Sequence, residues 1–253
     1  MSRLLGTVGA VCVAAFSIAT PSISSESQRA LHAAYQQVTG GQRSRAVATL
    51  NCILMAKGIT VGLGGSGAMS STVSRGIQTW TERLGESPFA FTKSDKPDIK
   101  VVFVSDIESG DDVQGQVHCL RQVAWGRKGS SYRIKGTILI RDNVDGRQLD
   151  SSEKTAVIEH ELGHVLGLDD DENPSHLMGP FVAGQPVDGP TEDEVETVQE
   201  FRSEVRDALN RIEGDPQVTI ASRAVQKRTT TRLADQRRLR RHRRSRFVHN
   251  PSR

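Results

Sequence analysis

Aromatic residues are scarce in this chain: 253 positions hold seven Phe, two Trp and two Tyr. Any core it builds must therefore be mostly aliphatic. Three cysteines are too few for a disulfide-rich miniature scaffold. No internal repeat is visible, and beyond the N-terminus no apolar run approaches the roughly 20 residues that span a bilayer. What is present suffices for a globular body. Hydrophobic residues make up 36% of the chain, with 23 Gly besides, the lower end of ordinary globular usage. Wholesale disorder and fibrous repeats are thereby excluded. The length allows one medium domain with extensions, or two small ones.

The net charge of +3 conceals a division. Residues 223–253 hold 12 Lys and Arg against the single acid Asp235, a net of +11, which leaves the first 222 residues at −8. An acidic body with a basic tail is expected. The tail, dense in arginine from Arg237 to Arg246, reads as disordered and suited to a polyanion such as nucleic acid, anionic lipid or acidic polysaccharide. It has no aromatic before Phe247, so any nucleic-acid contact would be to phosphate and salt-sensitive.

At the other end, Arg3 precedes an apolar run from Leu4 to Ala19, with small residues at Ser17 and Ala19. That order predicts a cleaved secretory signal over residues 1–19, and the run is short for an anchor. The mature chain then has no transmembrane segment and is secreted or extracytoplasmic. It keeps Cys52 and Cys119, either as one disulfide or as two thiols.

Periodicity predicts helices over Ser27–Val38 and Arg43–Lys57, which form a helical extension or pro-segment over residues 20–66. Gly62–Gly67 reads as a break. A helix over Thr72–Leu84 carrying Trp80 follows, then a strand over Ile99–Val104, an Asp- and Gly-rich loop over Asp106–Gly115, and apolar runs at Val117–Trp125 and Gly136–Ile140. Asp150 with Glu153, and Thr191 with Glu194, are capping pairs that open two further helices, the second reaching Ile212.

The chemistry lies in the first of these two helices. His160-Glu161-Leu162-Gly163-His164 sets two imidazoles one helical turn apart on one face, able to share a zinc ion, with Glu161 between them. Gly167 supplies a helix stop that tolerates left-handed backbone. Asp170, ten residues after His160, is a carboxylate able to act as third ligand at about 2.0–2.2 Å. Three protein ligands and one open position make a catalytic arrangement, whereas a structural zinc site is closed by a fourth. Met178 follows in a tight polar stretch that ends at Gly179-Pro180. The spacing alone implies a metal-assisted hydrolase.

His160-Glu161-x-x-His164-x-x-Gly167-x-x-Asp170 with Met178 resembles the metzincin metalloproteases. The surroundings over about Ser70–Arg206 are matrixin-like, and the aspartate in place of the usual third histidine resembles the snapalysin-type secreted proteases. The resemblance implies an α+β catalytic domain over residues 67–213, with a twisted, mostly parallel sheet, an antiparallel edge strand, an active-site helix and a C-terminal helix. Residues 214–253 are left as the tail. It further implies Zn²⁺ on His160, His164 and Asp170, with Asp169 or a water as the alternative third donor. Glu161 would be the general base acting on a zinc-activated water, and Met178 the turn beneath the metal. Peptides or proteins would be the substrates, held along an edge strand expected at Gly136–Ile140.

No tyrosine stands two residues after Met178; Pro180 does, so oxyanion support would fall to the metal or a backbone N–H. Ca²⁺ also accompanies the resemblance, but no residue is assigned to it, since Asp142–Gly146 lacks the full loop pattern and reads as a solvated turn. Leu50–Leu54 around Cys52 does not resemble the matrixin latency switch. A different class of reading is a catalytically weak or inactive binding protein of the same fold, tethered to a polyanion through its tail.

Overall fold

The computed structural model describes residues 20–64, 69–108, 113–126, 129–144 and 146–214. The predicted signal over 1–19 and the basic tail lie outside these residues. Two compact units are formed.

The first unit takes in residues 57–120 and 134–201, with residues 20–28. Its sheet has the strand order β2-β1-β3-β5-β4, from β1 (Ile59–Leu63), β2 (Phe89–Phe91), β3 (Ile99–Val104), β4 (Gly115–Gly126) and β5 (Gly129–Arg141). β2, β1, β3 and β5 run parallel, and β4 is the antiparallel edge. This is the metzincin architecture that the resemblance implies.

Two expectations need correcting. Gly62 lies inside β1, not in a break. A Cβ there would stand 2.8 Å from the Thr92 carbonyl, so the glycine answers close packing between neighbouring segments. Gly136–Ile140 is interior, paired through β5 to Ile99–Phe103, and the edge belongs to β4. Both runs are apolar, and periodicity cannot say which one ends a sheet.

α3 (Ser70–Leu84) and α4 (Ser151–Leu166) pack together against this sheet's unit. Gly76 lets them approach, because a Cβ there would lie 3.0 Å from Ile158. Trp80, wholly buried, donates its indole N–H to the Glu159 carbonyl at 2.8 Å. A short hairpin, β6 (Asn143–Val144) and β7 (Arg147–Gln148), precedes α4.

α4 opens on the expected capping box. The Asp150 carboxylate accepts from the Ser152 and Glu153 amides, and the Glu153 carboxylate accepts from the Asp150 amide. Gly167, at φ 111°, closes the helix by donating back to Gly163 and His164. α5 (Glu192–Gly214) starts with the Thr191 and Glu194 pair reciprocally bonded.

The second unit comprises residues 29–56, 121–133 and the chain from Arg202. It contains most of α1 (Ser25–Thr39), then α2 (Arg43–Leu54), the end of β4, the start of β5 and the end of α5. Its core is aliphatic, with Leu31, Leu50, Leu54, Val205 and Ile212 buried. Thr49 bonds Gln37 at 3.0 Å, and Arg43 donates to the Ile212 carbonyl. Cys52 is buried here, and Cys119 of the first unit is half-buried, both as thiols.

Candidate metal centre

The two histidines share one face of α4 because four residues advance a helix by little more than one turn. Their rings meet edge to face with centroids 4.8 Å apart. Each is oriented through Nδ1: His160 to the Leu177 carbonyl at 2.8 Å, His164 to the Leu168 carbonyl at 3.1 Å. Carbonyls only accept, so Nδ1 carries the proton and Nε2 of each ring is left to face the centre.

Asp170 reaches that centre from beyond the glycine exit. Its Oδ1 lies 3.3 Å from His160 Nε2 and 3.3 Å from His164 Nε2. Of the three consecutive aspartates, only this one joins the imidazoles in a group with metal-ligating geometry. Asp169 turns its carboxylate onto the Asp170 amide. Asp171, its side chain buried, accepts from His176 at 2.7 Å and from the Asn173 amide at 2.7 Å. Among the described residues no other such group of three occurs.

These residues fit zinc. Ligands at about 2.0–2.1 Å from an ion, set at tetrahedral angles, stand about 3.3 Å from one another. That is the spacing the aspartate oxygen keeps from both imidazoles. The donor set of two imidazoles and a carboxylate leaves a fourth position open.

Asp170 owes its place partly to a strap from the start of the described chain. Ser24 donates to the Gly167 carbonyl at 2.8 Å, Asp169 donates to the Ser22 carbonyl at 2.9 Å, and Ile23 bridges Leu168. The far side is held by the Asp171 amide on the Met178 carbonyl at 2.8 Å.

Glu161 is buried, 3% exposed. Burial pushes its pKa up, against the pull of His160 and His164 and of the Val117 amide, which donates to its carboxylate. Gly115 makes room for it, since a Cβ there would run into Glu161 Oε1 and come within 2.7 Å of Val157. Burial works against charge on His164, but the Asp170 hydrogen bond, Glu161 and the Leu168 carbonyl outweigh it and raise the pKa. His160 and His164 together hold the Asp170 carboxyl well below its ordinary range.

Met178 is 1% exposed beneath the centre. It touches α4 at Gly163, where a Cβ would stand 2.5 Å from its sulfur. Glu194, wholly buried, accepts from the Met178 amide at 2.7 Å and the Leu177 amide at 3.2 Å. A cavity of about 460 Å³ opens beside the histidines, walled by β4 at Gly115–Val117 and by the segment after Met178.

Compared with known families, the profile described as Matrixin matches residues 64–202. The chain belongs to the matrixins. Its family is thus one of zinc metallopeptidases, and zinc is the family's metal. No curated protein matches the chain. Within this matrixin domain Asp106 pairs with Arg141 and Asp142 with Lys154, both at 2.8 Å.

The structure brings the expected His160, His164 and Asp170 together, with Glu161 and Met178 beside them; Gly115 and the strap had no counterpart in the sequence reading. It read Glu194 only as a cap. Its capping partner Thr191 was visible locally; its hold on Leu177 and Met178, 17 and 16 residues back, had no local signal.

Proposed function

We propose that this matrixin is a secreted zinc endopeptidase in which His160, His164 and Asp170 hold the ion and Glu161 is the general base. The observation that carries this reading is the equal 3.3 Å spacing of one Asp170 oxygen from both Nε2 atoms, beside a buried glutamate that opens on the same cavity. Zinc, when bound, lowers the pKa of water and polarises a carbonyl.

The chain's own residues do the remainder. Glu161, aimed by the Val117 amide and shielded by burial, takes the proton of an attacking water and passes it to the leaving amine. β4 has no neighbour on its outer side within the described sheet, so an extended peptide can pair with it. The order of charge and apolarity over Met1–Ala19 supports secretion.

Glu161→Ala should keep zinc and lose about 10²–10⁴-fold in cleavage of a casein-type substrate. Undiminished cleavage would remove Glu161 from the mechanism. The +11 charge of residues 223–253 favours a second reading, a catalytically weak binding protein held on a polyanion. A zinc-loaded chain inert on a broad peptide library would favour that one.

A further inference from the structure

Glu153 is wholly buried, two helical turns before His160. Its Oε2 accepts from Arg147 Nη1 at 2.7 Å and from the Asp150 amide at 2.9 Å. Its Oε1 accepts from Arg147 Nη2 at 2.5 Å and from the Gly184 amide at 2.7 Å. The helix cap requires only the Asp150 bond, and a neutral glutamine would serve there. The charge, the two-pronged arginine and the bond to Gly184, 31 residues away, go beyond capping.

Gly184 sits at φ 80°, and the Gln185 amide donates to the Val182 carbonyl at 3.0 Å, which closes a turn. Phe181, Val182, Gln185 and Val187 line the cavity into which His160 and Glu161 open. The turn is itself exposed, so burial of its own side chains does little to hold it. One carboxylate oxygen thus ties the cavity's outer wall to the helix that carries the metal centre.

We propose that Glu153, oriented by Arg147, is a positioning residue that fixes the Val182–Gln185 turn and so sets the shape of the cavity, selecting the apolar side chain a peptide lodges there. This rests on the peptidase reading above. The chemistry of the wall, with Val157, Leu177, Phe181 and Val182 on it, matches an aliphatic or aromatic side chain and not a charged one. Without Arg147 the carboxylate loses the fork that sets its plane, and the Gly184 bond loosens with it.

The test compares zinc-loaded wild type, Glu153→Gln and Arg147→Ala on peptides that differ only in having Leu or Ala at the residue lodged in the cavity. Amide exchange at Gly184 is followed in parallel. The expected result is an amide protected in wild type and exchanging at least about tenfold faster in both variants. The Leu-over-Ala ratio of kcat/KM should fall about tenfold, through KM. Zinc content should stay at one per chain.

An unchanged ratio, unchanged exchange, or an equal loss on every peptide would overturn the proposal. If Glu153→Gln does not fold, Arg147→Ala, altered on the exposed hairpin, carries the test. A wild type inert on all peptides sinks the peptidase reading and this selectivity with it. An active wild type whose variants keep the ratio sinks this proposal alone.

Discussion

The helix bearing His160, Glu161 and His164 is buried almost all round, whereas Asp170 stands on an irregular segment with its side chain three-quarters exposed. The imidazoles are placed by helix geometry and packing: Trp80 and Met178 press on α4, and two carbonyls orient the rings. The aspartate is placed by backbone hydrogen bonds from segments before and after it, the Ser22–Ser24 strap and the Met178 turn. The imidazoles thus ride on one packed helix, and the aspartate depends on backbone contacts to segments on either side of it. The lesson is that the third proposed ligand should be the easier one to displace.

The largest effect should come from the helix. Structural zinc sites with four protein ligands are worth about 10–16 kcal/mol, or roughly 2.5–4 kcal/mol per ligand. His164→Ala should therefore weaken zinc binding about 10²–10³-fold, read by chelator competition, and Asp170→Asn less. The reverse order would break the comparison.

Removing residues 20–24 should come next. With the strap gone, Asp170 keeps its identity but loses its register, and affinity should fall about 10–100-fold, the range of lost outer support. The helical circular dichroism should persist. Unchanged affinity would show that the turn after Gly167 places Asp170 unaided.

Gly163→Ala tests the helical half from within. The added methyl meets the buried Met178 sulfur, so zinc-free stability in urea should drop by about 1–3 kcal/mol. A neutral result would mean that Met178 swings aside.

The smallest effect concerns Glu153. The Arg147 hydrogen bonds, outweighing burial and joined by the Asp150 and Gly184 amides, bring its pKa from 4.5 to about 2. A depressed carboxyl stabilises the fold above its unfolded pKa, and that stability is lost as pH falls. Between about pH 5 and pH 2 the zinc-free protein should therefore weaken in a Glu153-dependent way. Arg147 is half exposed, so solvent screening keeps this contribution small. Glu153→Gln should abolish that part of the slope, and an identical slope in the variant would show that the pair is worth nothing in solution.

How far each feature was legible depended on its range. The α4 capping box, the Gly167 stop and the His160 and His164 pairing are set within four residues, and the sequence carries them openly. β3 was legible to its ends because an apolar run bounded by turns is a local pattern. β1 was misread because Gly62 signals flexibility along the chain but close packing in the sheet. The edge strand was misplaced because β4 and β5 look alike until paired.

By itself, the sequence determined the family, the helix with its two imidazoles and glutamate, and the acidic body with its basic tail, since all of these follow from residue type and short spacing. Only the tertiary structure decided which of three adjacent aspartates faces the imidazoles, that Gly115 makes way for Glu161, and that Glu153 and Glu194 hold segments far down the chain. Those outcomes depend on hydrogen bonds and close contacts between residues whose separation in sequence says nothing of their distance in space.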